Sequence, residues 1–289
     1  MKNTVLLLTS GLLEMLAGKG ARIPVLRTIV IVLVSLFAGA NLFGQETLSD
    51  PEAYKIRVAG EFWRANPSAT VSGSSAQVPI SFDRTFGFTD YSTFYAGIDW
   101  HFARKHHLYF IVSPNETSRT RVLQQTITFN GNTFLAGSST TGELRTRSYA
   151  PGYRYDILHR DWGHLGILLQ INLLDIGASV KDTVLQPGQI TVRTSSSSLF
   201  VPLPVGGPDF RYYFLKNRLF VDGNLKGMYF FGYGNFVSSA GKVGFNFGRH
   251  VTAVGGYALG SHLQIHGTTT RLDIRQTQRG PTAGLEFNF

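Results

Sequence analysis

Side chains that alternate apolar and polar leave a chain few ways to fold, and this one alternates to its last residue. Across Thr282 to Phe289, Leu285, Phe287 and Phe289 fall on one face and Thr282, Gly284, Glu286 and Asn288 on the other. That is the signature of a strand with one face in an apolar medium. From residue 54 onward the chain divides into ten such segments: 55–63, 93–102, 107–115 with an extension to 129, 144–157, 163–176, 199–215, 219–231, 236–247, 251–265 and 271–289. Each is about as long as a tilted strand must be to cross the hydrocarbon of a membrane. An even number returns both ends to the same side. The joins sort by length. Residues 103–106, 158–162, 216–218 and 248–250 make tight turns, each holding an Arg. The opposite connections, 64–92, 130–143, 177–198, 232–235 and 266–270, are generally longer and rich in Ser, Thr and Gly.

A soluble sandwich also alternates, so the nature of the second face decides. Opposite apolar rows such as Leu165/Ile167/Leu169/Ile171 stand Gly, Tyr, Asn and isolated charges, with few of the Lys and Glu residues that water-facing strands use. A cramped polar interior fits that pattern. The mean hydropathy of +0.01 is too low for a bundle of membrane helices, while 32 Gly, 22 Phe and 12 Tyr are what a spanning barrel uses. The expected fold is all-β, an antiparallel up-and-down transmembrane barrel of about ten strands.

The terminal segment also resembles, position for position, the assembly signal of bacterial outer-membrane β-barrels: polar Thr282, then Gly284 and Leu285, aromatic Phe287 and terminal Phe289. The resemblance implies a place in the outer membrane of a two-membrane bacterium, handling by periplasmic chaperones, and reading of this strand by the barrel-assembly machinery. It further implies outer-membrane lipid and lipopolysaccharide as surroundings, a monomer, and no soluble cofactor. No motif picks out a subfamily.

Ahead of the barrel, Arg22 and Arg27 precede the apolar run 28–40 (TIVIVLVSLFAGA), a basic region and core of export-signal length. Residues 1–44 are read as a cleaved secretory signal, with a true start near Met15, and 45–53 as a short periplasmic segment before the barrel at 54–289. The formal charge is +9, of which residues 1–44 carry +3 (Lys2, Lys19, Arg22, Arg27 against Glu14), leaving +6. That is a weak pointer to nucleic acid, and none is expected as a partner. Without cysteine the chain has no thiolate metal site, disulfide or lipid-bearing Cys.

Inward parity puts five cations, Arg57, Arg154, Arg211, Lys226 and Lys242, with five anions, Glu61, Asp99, Asp156, Asp222 and Glu286. Charges in a confined interior must pair, so they are expected to interlock and close a narrow lumen near its periplasmic end. Lining a selective pore is the alternative. Outward and higher, Arg145, Arg147, Arg275 and Arg279 are candidates for contact with lipopolysaccharide phosphates, or are merely solvated. At 206–208 a kink or bulge is expected, because the outward row changes from Leu203/Val205 to Phe210/Tyr212/Phe214. For catalysis the candidates are Ser261, His262 and His266, but adjacent strand residues point to opposite faces. His106 and His107 are expected to be solvated at a turn. The leading function is a non-enzymatic surface barrel with a structural or interaction role, with no catalytic, cofactor or metal site; a small-solute channel and a lipid-modifying hydrolase are the alternatives.

Overall fold

The computed structural model describes residues 51–72, 79–186, 189–230, 234–266 and 273–289. The expected signal at 1–44 lies outside them, and the periplasmic segment 45–53 is described only from Pro51.

Ten strands make one closed antiparallel wall: β1 (Ile56–Ser72), β2 (Tyr91–Ala103), β3 (His106–Val122), β4 (Ser139–Arg160), β5 (Gly163–Gln186), β6 (Gln189–Phe214), β7 (Leu219–Phe230), β8 (Gly234–Asn246), β9 (Val251–His266) and β10 (Asp273–Asn288). Each bonds to its sequence neighbours, and β10 closes on β1 from Arg57 opposite Asn288 to Ser72 opposite Asp273. Closure leaves no free edge within the hydrocarbon, which a membrane-spanning sheet requires. Besides these ten, a short strand (Ile80–Ser81) pairs with the top of β1 at Thr70–Val71 and runs into a one-turn helix α1 (Phe82–Phe86), and Ile127–Phe129 forms a hairpin with Asn132–Phe134.

The alternation of the sequence becomes the two faces of this wall. Phe62, Leu169 and Trp100 stand outward and are 72%, 57% and 51% exposed. Their strand neighbours Glu61, Gln170 and Asp99 turn inward. A belt of this size exposed to water would be a strong aggregation hazard; against lipid it is the favourable surface. At the seam, Gly284 is needed for closeness: a Cβ there would lie 2.1 Å from the Gly60 carbonyl oxygen and 2.6 Å from the Glu61 side chain.

The wall is uneven in height. β5 and β6 stay paired up to Gln186 opposite Gln189, and β3–β4 up to Val122 opposite Ser139, whereas β7–β8 ends at Phe230 opposite Gly234. The stretch 177–198, expected as a loop, is therefore mostly the upper part of two strands. On β5 its apolar row is short, Ala178 and Val180 after Ile176, and on β6 the run Ser195–Ser198 has none. The expected kink at 206–208 is absent as well. β6 keeps an unbroken register against β5 from Gln189 to Tyr212, with Leu203 and Val205 facing inward. The apolar residues did not change sides; the interior changed character.

Candidate functional site: a lumen closed at two levels

Near the periplasmic turns the inward groups meet. Arg211 reaches Glu286 with Nη1 and Nη2 at 2.9 and 3.0 Å, and its Nε donates to Asp222 at 2.9 Å. One side chain thus ties β6, β7 and β10 together. Arg57 lies 3.7 Å from Glu286, and Lys242 pairs with Glu61 across the lumen. Arg154 donates to Asp156 at 2.9 Å and lies 3.6 Å from Asp99. Lys226 donates to Gln170 at 3.2 Å instead of to a carboxylate. All ten lumen charges expected from parity face inward.

Five further groups complete this layer. Asp209, hidden beside the kink that did not form, lies 3.7 Å from Arg154 and 3.0 Å from His164 Nε2. His107, expected in solvent, is fully buried between Asp99 and Asp156, each 3.1 Å from one ring nitrogen. It has the inward parity of Tyr109, which was the available signal. The remaining two come from the segment that enters β1. Glu52 accepts from Tyr213 at 2.6 Å and lies 3.3 Å from His164 and 3.7 Å from Arg57. Tyr54 donates to Asp99 at 2.8 Å. Residues 52–54 therefore fold back into the periplasmic mouth and stopper it. Burial would push the Glu52 carboxyl up, but His164, Arg57 and Arg211 outweigh that and hold it well below the usual carboxylate range.

The other end closes with apolar side chains. Phe82 and Phe86 of α1, with Phe88, pack on Phe129 and Phe134 of the hairpin and on inward Leu144, Ile176, Val180, Leu203 and Val205. Gly142 makes the space, since a Cβ there would meet the Phe86 ring at 2.5 Å. Sequence parity could not find this plug because Phe82, Phe86 and Phe88 fall in a stretch read as a loop.

On the outer surface, Arg147 pairs with Glu116 at 3.3 Å and Arg145 with Asp175 at 3.4 Å. Arg275 and Arg279 are exposed, and no ion pair is found for them among the described residues. Of the catalytic candidates Ser261, His262 and His266, only the backbone in β9 is described; the β9–β10 register shifts between Ala258 and Leu263. Among the described residues, no group of three or more His, Asp or Glu could hold a metal ion.

No protein-family model matches the sequence, and no curated protein does. Solved structures do. The outer membrane protease OmpT of Escherichia coli superimposes with a TM-score of 0.54 at 12% identity, over 85% of this chain and 100% of that one. The fold is that of an outer-membrane β-barrel. Looser overlays join it: the Yersinia pestis attachment invasion locus protein Ail, with TM-score 0.34 and 10% identity over 81% of this chain and 99% of that one, and the Neisseria meningitidis NalP translocator domain, 0.36 and 11% over 91% and 96%. At these identities the likeness extends to fold and leaves the activity of this barrel open.

Proposed function

We propose that this outer-membrane barrel is non-conducting and serves a structural or surface-interaction role, presenting the upper parts of β3–β6 beyond the membrane. One observation carries the reading: the lumen is filled twice over, by paired charges and a folded-back segment at the periplasmic end and by an aromatic plug at the other. Ten strands leave an interior that side chains can fill. An ion crossing it would have to part buried charge pairs and displace Phe82 and Phe86. The purified, refolded barrel should give no stable steps in planar bilayers and no sugar-driven swelling of liposomes. Regular steps of uniform size from the unmodified protein would overturn the reading in favour of a channel.

A further inference from the structure

The outward cations of the upper rim divide into two unlike groups. On the β3–β5 side, Arg145 and Arg147 are met by Asp175 and Glu116, so that stretch is neutral. On the β10–β1 side, Arg275, Arg279 and Arg64 are all exposed, and the acid joined to them there is Asp90, 3.4 Å from Arg64 and also accepting from Asn66. Among the described side chains, three guanidinium groups against one carboxylate leave an excess of two positive charges.

Their height follows from the strands. Arg279 stands ten residues before Phe289. At about 3.3 Å per residue and a tilt of about 40° it lies roughly 25 Å above the lower end of the wall, the height of the apolar band. The neighbouring side chains agree. Below the cations, the outward residues are Val58, Gly60 and Phe62 on β1 and Ala283, Leu285 and Phe287 on β10; Arg64 is the first outward polar residue on its strand. Arg279 faces Asn66, which makes Arg64 its diagonal neighbour on the same face, within about 8 Å. Arg275 stands two outward positions further up, above Thr277 and opposite Thr70, about 10 Å higher at about 3.3 Å per residue and the same tilt.

We infer that the β10–β1 seam holds the phosphate groups of an outer-leaflet glycolipid of the lipid A type, gripped by Arg64 and Arg279 at the level where hydrocarbon ends and by Arg275 above. Guanidinium suits the task, because its fork matches a phosphate with two hydrogen bonds and it is weakly hydrated. Acyl chains would lie over Phe62, Phe94 and Leu285. The inference rests on the fold and its place in the outer membrane and is independent of whether the lumen conducts.

Native mass spectrometry of the refolded barrel in detergent tests it, with four probes: bisphosphorylated lipid A, the same lipid without phosphates, phosphatidylglycerol, and inorganic phosphate. Retention should be strongest for bisphosphorylated lipid A and weaker by about tenfold or more for each arginine removed in the Arg275→Ser/Arg279→Ser variant. Arg145→Ser/Arg147→Ser should retain it like the unmodified protein. Arg275→Lys/Arg279→Lys should fall between, and it keeps the test decisive should the serine variant fail to fold. Equal retention of the dephosphorylated lipid, saturation by inorganic phosphate alone, or equal losses from both arginine pairs would overturn the proposal.

Discussion

Replacing Arg211 by Met removes the group on which the periplasmic layer converges while roughly keeping its volume. Arg211 makes three charge-assisted hydrogen bonds, two to Glu286 and one to Asp222, and its guanidinium sits 4.3 Å from the centre of the Phe220 ring. Each such bond contributes about 1.5–3 kcal/mol, a gross loss of roughly 5–9 kcal/mol. Arg57, 3.7 Å from Glu286, keeps part of that carboxylate's compensation. The net destabilisation should therefore be about 3–5 kcal/mol, the usual cost of stranding a buried charge. Equilibrium unfolding by urea in lipid vesicles, followed by tryptophan fluorescence, measures it. The triple variant Arg211→Met/Asp222→Asn/Glu286→Gln should recover much of the loss, because no uncompensated charge remains. A loss under about 1 kcal/mol for Arg211→Met alone, the range of exposed ion pairs, would mean that water reaches and screens these groups, and the reasoning for a closed interior would fail.

Other outcomes follow from the same geometry. Gly284→Ala should block pairing of β10 with β1, since even one Cβ lies 2.1 Å from the Gly60 oxygen, and the heat-modifiable folded band on electrophoresis should be largely lost. Phe86→Ala empties a site in the plug and should cost about 3–5 kcal/mol, with new cleavage by added protease within 82–90. For Glu52 the folded pKa lies below the unfolded value near 4.5, so its contribution is fully present above pH 4.5 and disappears as pH falls through the folded value. The melting temperature should drop below pH 4.5, and Glu52→Gln should make that acid limb shallower.

Much of the wall was legible because a one-residue period fixes which face a side chain takes. Arg57, Arg154, Arg211 and Glu286 could be placed inside from parity alone. What parity lacked was depth. It treated the interior as polar throughout, so Leu203 and Val205 were assigned to the lipid and a kink was needed to reconcile them with Phe210. In the structure the interior is charged below, and above it Leu203 and Val205 join an apolar cluster beside amide pairs such as Asn115 with Gln278; the strand keeps its register, and Asp209 joins the charges. Strand height was hidden for a related reason: 177–198 pairs through its backbone, while its Ser and Thr side chains give little contrast between faces. Glu52, Tyr54, Phe82 and Phe86 lie outside the spanning segments, where no period operates, and only tertiary packing brings them to the lumen.

The folded-back segment at residues 52–54 has a consequence for the order of events. Its partners come from both halves of the molecule: Asp99 sits on the second strand, His164 on the fifth and Tyr213 on the sixth, while Arg57, which braces Glu52, also leans on Glu286 of the last. These contacts join strands from different sides of the circle, so the set is complete only once the wall has curved round. The stopper thus works as a latch that cannot catch on a half-built cylinder, and its setting would report that the circle is complete.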